Sequence, residues 1–213
     1  MLPSIPAPVL AAFVVASLVL AATPGPGVLY IVTRTLAQGR RAGLASVAGV
    51  ALGNLGNALA ASLGLAALLA VSARAFDAVR FAGAAYLVYL GIRSLRAAPL
   101  PNGLAPPAMP RVQHLLRDGF IVALLNPKTA LFFAAFLPQF IDPAAPALHS
   151  VLFGATFVAV AACTDTAYVL AAGVVAPALG SFKDAGRLGR CAAAAVYFGL
   201  GIFAAASGSR GAR

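Results

Sequence analysis

Long apolar runs alternate with short polar stretches along the whole chain. Each run approaches or exceeds about 20 residues, the length of an α-helix that crosses the hydrocarbon core of a bilayer. The pattern therefore predicts six membrane-spanning helices, at residues 8–36, 43–72, 76–95, 117–141, 148–176 and 189–207. Between the third and fourth runs lies a proline-rich stretch, residues 97–116, which we interpret as a linker loop.

The linker divides the chain into two parts, residues 1–96 and 117–213, with three predicted spans in each. Because three is an odd number, the second part enters the membrane in the opposite direction from the first. We therefore expect an all-α membrane protein built from two inverted three-helix repeats. Basic residues are more frequent in the loops that include Arg34, Arg93 and Arg117, which places these loops in the cytoplasm and both termini outside.

The composition identifies the solvent of these helices. Hydrophobic residues make up 62% of the chain and charged residues only 9%, whereas about a quarter of the residues of a soluble domain are charged. The net charge of +10 could indicate nucleic acid, but the basic residues occur in short clusters between apolar runs. That distribution is typical of cytoplasmic membrane loops, so we expect a multi-pass protein surrounded by the lipid bilayer and not bound to nucleic acid.

Two predicted spans, the first and the fourth, are interrupted by proline near their middle. The first contains "TPGPG" at residues 23–27 and the fourth contains "NPK" at residues 126–128. Shifting the chain by 103 residues lays Thr23-Pro24 on Asn126-Pro127, and each pair is an N-capping residue followed by proline. We therefore expect each broken span to restart as a half-helix inside the membrane, although a lone proline kink is often purely structural.

A helix that begins inside the membrane provides free backbone N–H groups and a partial positive charge, to which Lys128 adds a full charge. Keeping a charge there for packing alone is unfavourable, at about 2.5–3.5 kcal/mol on insertion scales. The breaks therefore predict a site for a substrate carboxylate. The candidate residues are Thr23, Pro24, Gly25, Pro26, Gly27, Asn126, Pro127 and Lys128.

Asp165 lies near the middle of the fifth predicted span and is the one carboxylate that the sequence places deep in the membrane. Three roles stay open for it: a structural counter-ion of Lys128, a carrier of protons during transport, or a partner of a substrate ammonium group. Tyr168 follows three positions later on the same helix face and is a further substrate-binding candidate. Asn54 and Asn57 also share a helix face, which favours a polar link between helices over a secondary substrate contact.

Several longer motifs resemble the LysE/RhtB family of bacterial inner-membrane amino-acid exporters, the lysine exporter and homoserine-threonine efflux type. They are "TPGPGVLYIVTRTLAQGRRAGLASVAGVALGN", "FAGAAYLVYLGIRSLRA", "GFIVALLNPKTALFFAAFLPQF" and the segment around Asp165. The resemblance implies a secondary transporter that exports amino acids or related small metabolites, usually by proton antiport. It gives functional weight to the matching residues Pro24, Gly25, Pro26, Asn126, Pro127, Lys128 and Asp165.

On this interpretation the partners are an amino acid, protons and lipid, and the sequence leaves a homo-oligomer open. No cofactor is predicted. Three other classes fit the sequence less well. A cation or heavy-metal exporter is disfavoured by the lack of intramembrane Glu, His clusters and paired Cys. An intramembrane enzyme lacks a nucleophile–base set, and a non-transporting scaffold would have no use for two matched breaks.

Overall fold

The structure is a computed structural model that describes residues 5–62, 72–96, 111–141, 146–180 and 185–206. Within these ranges every regular element is helical, so the predicted all-α class is confirmed. Most of the predicted linker, residues 97–110, lies outside the described residues. The α-helices are α1 Ala7–Ala22, α2 Pro26–Gln38, α3 Arg40–Ser62, α4 Ala73–Arg96, α5 Val112–Leu124, α6 Pro127–Leu131, α7 Pro146–Gly180 and α8 Ala185–Ala206.

Two described helices are long and apolar enough to cross a membrane by themselves: α3, and α7 over Leu148–Ala176. Helices α1 and α2 make a third candidate if the pair is counted as one span, bent by 52° at its break. Helix α8 contains a shorter apolar stretch, Cys191–Phe203. Six spans in two inverted repeats therefore stay a prediction.

The first break lies between α1 and α2, as the sequence predicts, but its capping differs. Thr23 precedes a proline, which disfavours helical backbone, and it ends α1 while its hydroxyl donates to the Val19 carbonyl at 2.7 Å. The residue that caps α2 is Gly25, and Pro26 takes the first helical position. The prediction that Thr23 is an N-cap is therefore wrong.

The second break separates α5 from α6, and here the predicted cap is confirmed. Asn126 has extended backbone, and its side-chain oxygen accepts the Lys128 backbone N–H at 3.1 Å. Pro127 occupies the first helical position, where its missing N–H costs no hydrogen bond. The equivalent pairs are thus Gly25-Pro26 and Asn126-Pro127, at an offset of 101 residues instead of 103.

After α6 the chain continues as a π-helical turn, Phe132–Phe136, and a 3₁₀ segment, Leu137–Phe140. Pro138 lies in the 3₁₀ segment and has no N–H with which to continue an α-helical ladder. The irregular geometry brings three phenylalanine rings of this segment toward α1 and α7. Ring centroids 4.7–5.9 Å apart define a phenylalanine cluster whose members are Phe13, Phe132, Phe133, Phe136, Phe140, Phe153 and Phe157.

Helix α3 packs closely against α5 because glycines remove the side chains at the contact. A Cβ atom at Gly49 would lie 2.4 Å from the Leu116 carbonyl oxygen, and one at Gly53 would lie 2.5 Å from that of Phe120. Since the residue numbers of the two helices increase together along this contact, α3 and α5 run parallel.

Helix α7 packs on another side of α3 in the opposite direction. Gly43 of α3 lies against Val169 of α7, and Ala58 lies against Gly154. The residue numbers change in opposite senses along this contact, so α7 runs antiparallel to α3. Helix α3 therefore lies between the second break and α7 and holds them in register.

Candidate functional site

Lys128 joins the start of α6 to the end of α1. Its ammonium group donates to the Leu20 carbonyl oxygen at 2.6 Å and also to the Thr23 carbonyl oxygen. The last carbonyls of a helix lack partners within the helix and carry a partial negative charge. Lys128 thus stabilises the end of α1. An ammonium group has three N–H donors, so one donor remains outside these two bonds.

Tyr168 of α7 contacts the same end of α1. Its hydroxyl donates to the Ala22 carbonyl oxygen at 2.8 Å. The sequence predicts this residue as a substrate contact, but in this conformation its hydroxyl binds the backbone of the first break. Side chains of α6 and α7 therefore meet at the carboxyl end of α1.

A cavity of about 40 Å³ lies where the two breaks meet α3 and α7. One enclosed water molecule needs about 10–15 Å³, so this space holds about three waters and is too small for an amino acid. The walls must move apart before a metabolite can bind. The residues that line the cavity are Leu20, Ala21, Gly25, Gly27, Val28, Val50, Asn54, Ala123, Asn126, Lys128, Thr129, Phe157, Ala161 and Asp165.

Two opposite charges line this cavity, one from each side. Asp165 of α7 is 5% exposed, and the side chain of Lys128 lies against Gly25 on the α1–α2 side. In the described structure these two side chains share the cavity without forming a direct ion pair. Burial of charge without a charged partner is costly, so both groups favour a ligand that carries complementary charges.

The structure brings together about half of the predicted site residues. Those that line the cavity are Gly25, Gly27, Asn54, Asn126, Lys128 and Asp165. Those outside its lining are Thr23, Pro24, Pro26, Pro127, Asn57 and Tyr168.

Three of the residues outside the lining have other surroundings. Asn57 donates from its side chain to the Ala123 carbonyl oxygen at 2.9 Å, which is the polar link between helices that its position favours. Pro26 and Pro127, the first residues of the two half-helices, line a narrow apolar cleft together with Tyr86.

A second charged group, which the sequence analysis misses, surrounds Asp118 of α5. This carboxylate is fully buried and forms ion pairs with three guanidinium groups, at 3.1 Å to Arg34, 2.8 Å to Arg93 and 3.2 Å to Arg117. The Tyr86 hydroxyl also donates to it at 3.1 Å. We call these five residues the Asp118 cluster. It connects α2, α4 and α5 through one carboxylate.

Asp118 is thus a second buried acid of the helical region beside Asp165, although it lies at the start of a predicted span and not in its middle. The sequence analysis places Arg34, Arg93 and Arg117 in loops on one side, and the structure brings all three to the same carboxylate. The sequence pattern does not single out Asp118 because this residue lies beside Arg117 at the start of a predicted span, where charged residues are common. An acid at the edge of an apolar run, with three arginines expected on the same side, is the signal that could have found it.

A metal centre is not evident in this part of the molecule. Among the residues that the structure describes, no group of three or more His, Cys, Asp or Glu side chains is placed to hold a metal ion. The described side chains around the cavity instead offer one ammonium group, one carboxylate and two carboxamides. That set is suited to an organic ion with both charges.

Comparison with known proteins gives a consistent result. A profile of the LysE type translocator family matches residues 18–208. A homoserine/homoserine lactone efflux protein of Salmonella typhimurium is 34% identical over 158 residues, which are 74% of this chain and 77% of that protein. A leucine efflux protein of Salmonella choleraesuis is 27% identical over 191 residues, 88% of this chain and 90% of that protein.

A third relative, an uncharacterized membrane protein of Vibrio cholerae, is 35% identical over 133 residues. The match covers 62% of this chain and 64% of that protein, slightly under two thirds of its length. No solved structure matches the chain.

Proposed function

The chain belongs to the LysE type translocator family, and from this premise we propose that it exports an amino acid or a related small metabolite across the bacterial inner membrane as a secondary transporter. The relatives are named as efflux proteins and membrane proteins, not as enzymes. Homoserine, homoserine lactone and leucine, which appear in those names, are therefore the first substrates to test.

The observation that carries the proposal is the cavity that Lys128 and Asp165 share. An amino acid at neutral pH carries one carboxylate and one ammonium group. We assign the carboxylate to Lys128 and the ammonium group to Asp165. To bind, the carboxylate takes the place of two neutral carbonyl acceptors on Lys128. A charged acceptor makes a stronger hydrogen bond than a neutral one, so the exchange is favourable for the substrate.

Helix directions support an architecture of two inverted repeats. Helix α2 runs antiparallel to α3, since Gly27 lies near Val50 while Thr35 lies against Gly43. Because α3 is parallel to α5, the two broken spans α1–α2 and α5–α6 run in opposite directions. Inverted-repeat transporters bind substrate between such broken helices.

The other corresponding helices also oppose each other. Helices α3 and α7 are antiparallel, and α4 is antiparallel to α8 because Gly91 lies against Phe198 while Ala84 lies against Gly201. Each predicted span of residues 1–96 thus has an oppositely directed counterpart in residues 117–213. We therefore propose six spans as two repeats, with the Pro-rich segment 97–116 as the loop between them.

The two ends of the cavity support an alternating-access cycle. Asp118 of α5 lies eight residues before Asn126, which follows the end of that helix, and Phe157 precedes Asp165 by eight residues of α7. Each separation is about 12 Å along a helix axis. Because α5 and α7 are antiparallel, the Asp118 cluster and the phenylalanine cluster lie toward opposite ends. We propose that the Asp118 cluster closes the cytoplasmic side and the phenylalanine cluster the outer side.

We further propose that export is coupled to proton antiport through Asp165. This carboxylate lines the cavity and has no direct ion pair in the described structure, so it can exchange a substrate ammonium group for a proton. A proton-coupled cycle needs an acidic group that substrate and water both reach. Asp165 lines the cavity that we assign to the substrate, whereas Asp118 is in contact with three arginines.

The proposal is tested with purified protein in lipid vesicles. Vesicles are loaded with a panel that includes homoserine, homoserine lactone, leucine and a divalent metal salt, and release is followed with and without a pH gradient. We expect release of at least one amino acid above that of vesicles containing Lys128→Ala. Release of the metal alone would overturn amino-acid export in favour of a cation exporter. Equal release rates with and without the pH gradient would contradict the proposed proton coupling.

A further inference from the structure

One line of side chains on α7 leads from the charged part of the cavity to its aromatic end. Phe157, Ala161 and Asp165 follow one another at intervals of four residues, so they share one helix face. All three line the cavity. A substrate that places its ammonium group on Asp165 therefore has Ala161 about 6 Å farther along the wall, slightly more than one helical turn.

The aromatic end of this line is held in place by its neighbours. Phe157 is 2% exposed, and its ring centroid lies 5.2 Å from that of Phe132 and 5.0 Å from that of Phe133. Protein interiors are close-packed, so a ring enclosed in this way yields little space. In this conformation Phe157 therefore forms the aromatic end of the cavity.

Ala161 is the smallest side chain of the line and leaves the most room. It is 5% exposed, and its methyl group is all that it presents to the cavity. Val50 lines the same small cavity from α3. It lies beside Gly27, where an added Cβ atom would be 3.6 Å from its Cγ1 atom. The space between α3 and α7 at this level thus depends on the side chains at positions 50 and 161.

We propose that Ala161 and Val50 determine which substrate side chains the transporter accepts, and that the substrate class is neutral amino acids with short or medium apolar side chains. The inference rests on the proposed function, because it assumes that the cavity binds the exported amino acid. Lys128 and Asp165 are the two charges of the cavity lining, and the substrate's own carboxylate and ammonium groups occupy both. A third charge on a lysine or glutamate side chain would be buried without a partner, which is costly.

The experiment measures the rates of alanine and leucine transport in vesicles, together with competition by valine, phenylalanine, lysine and glutamate. Ala161→Val narrows the cavity, whereas Ala161→Gly and Val50→Ala widen it. The matched control is Ala167→Val, at an exposed position of the same helix. It makes the same chemical change away from the cavity.

We expect Ala161→Val to lower kcat/KM for leucine relative to alanine by about tenfold, since one carbon in a tight apolar pocket discriminates at that level. Adding Val50→Ala to this variant should restore the ratio, because it returns space to the cavity. Ala161→Gly should improve competition by phenylalanine. Ala167→Val should keep the parent ratio, and lysine and glutamate should compete weakly in the parent protein.

An unchanged leucine-to-alanine ratio in both Ala161→Val and Val50→Ala would overturn the proposal, as would a ratio that shifts equally in Ala167→Val. Competition by lysine equal to that of leucine would overturn the neutral substrate class. If Ala161→Val does not accumulate in the membrane, the proposal is tested with Ala161→Gly and Val50→Ala, which widen the cavity. Failure of the proposed function looks different: the parent protein then transports no amino acid at all.

Discussion

Asp118 and Asp165 are both buried aspartates with basic residues nearby, and their surroundings differ in a way that separates two roles. Asp118 is in direct contact with three guanidinium groups and a tyrosine hydroxyl. Asp165 lines a cavity and does not pair directly with Lys128, the basic residue on its other wall. A fully paired carboxylate holds helices together, whereas one beside open space can change partners.

The same contrast applies to the basic residues. Arg34, Arg93 and Arg117 bind a charged acceptor, and separating any of them from Asp118 breaks a charge-assisted bond. Lys128 binds neutral carbonyl oxygens, and we propose that a substrate carboxylate replaces them. Rearrangement therefore costs less at the Lys128–Asp165 cavity than at the Asp118 cluster. Four substitutions test this comparison.

The largest effect is expected from Asp118→Ala. Removing one partner of a buried ion pair costs about 3–5 kcal/mol, and here the change leaves three arginines facing one another. We expect a large decrease in the melting temperature of the purified protein and in the amount found in the membrane. Arg117→Ala is the control, because its side chain is 55% exposed and should change the melting temperature little. Equal melting temperatures for Asp118→Ala and the parent would contradict a role in holding the helices.

Lys128→Ala should have the opposite profile, with export abolished and most of the protein still in the membrane. Export should stop because the substitution removes the positive charge that we propose binds the substrate carboxylate. The protein should remain in the membrane because the bonds lost in the described structure are two hydrogen bonds to carbonyl oxygens at the end of α1. Lys128→Arg should restore export poorly, because a planar guanidinium group does not replace a compact ammonium group. Transport rate and membrane level are measured on the same samples. Export at the parent rate by Lys128→Ala would refute the carboxylate site.

Asp165→Asn should remove one mode of transport and spare another. The amide keeps the shape of the side chain but cannot take up and release a proton. We expect pH-driven net efflux to stop, while exchange of labelled for unlabelled substrate across vesicles continues. Unchanged pH-driven efflux would exclude Asp165 as the proton carrier. Loss of both modes would indicate a direct substrate contact or a structural partner of Lys128 instead.

The smallest effect is expected from Tyr86→Phe, which removes one hydroxyl donor from Asp118. Because the three arginines remain, we expect a loss of stability of about 1.5 kcal/mol, the low end of the range for a hydrogen bond to a charged group. Tyr89→Phe on the same helix is the control, since its side chain is 48% exposed. A loss as large as that of Asp118→Ala would show that the tyrosine, and not the charges, holds the cluster.

The sequence by itself determined the helices and the positions of both breaks. Apolar runs of this length have few alternatives to helix in lipid, because backbone polar groups must be satisfied within the segment. The cap at Asn126 could be predicted from the sequence because the hydrogen bond that forms it is local. The Lys128 N–H donates to the side-chain oxygen of Asn126, only two residues earlier in the chain. Such features depend on neighbours in the chain, and the sequence shows those neighbours.

The N-cap of α2 is a position where two local patterns compete. Thr23-Pro24 and Gly25-Pro26 both suit a helix start, and the structure uses the second. Thr23 instead ends α1, and its carbonyl oxygen accepts a hydrogen bond from the ammonium group of Lys128, which lies 105 residues away along the chain. The residues next to Thr23 do not indicate a contact with a residue so distant in the sequence.

The tertiary structure alone decided which charges meet and what surrounds them. Asp118 gains its three arginines from α2, α4 and α5, and Asp165 gains its cavity wall from Phe157, Ala161 and Val50. A sequence pattern gives the face of each helix but not the rotation or height at which two helices pack. Those are fixed by side-chain volume and by close contacts such as that of Gly49 with the Leu116 carbonyl. Charges distant in sequence become partners only after that packing is set.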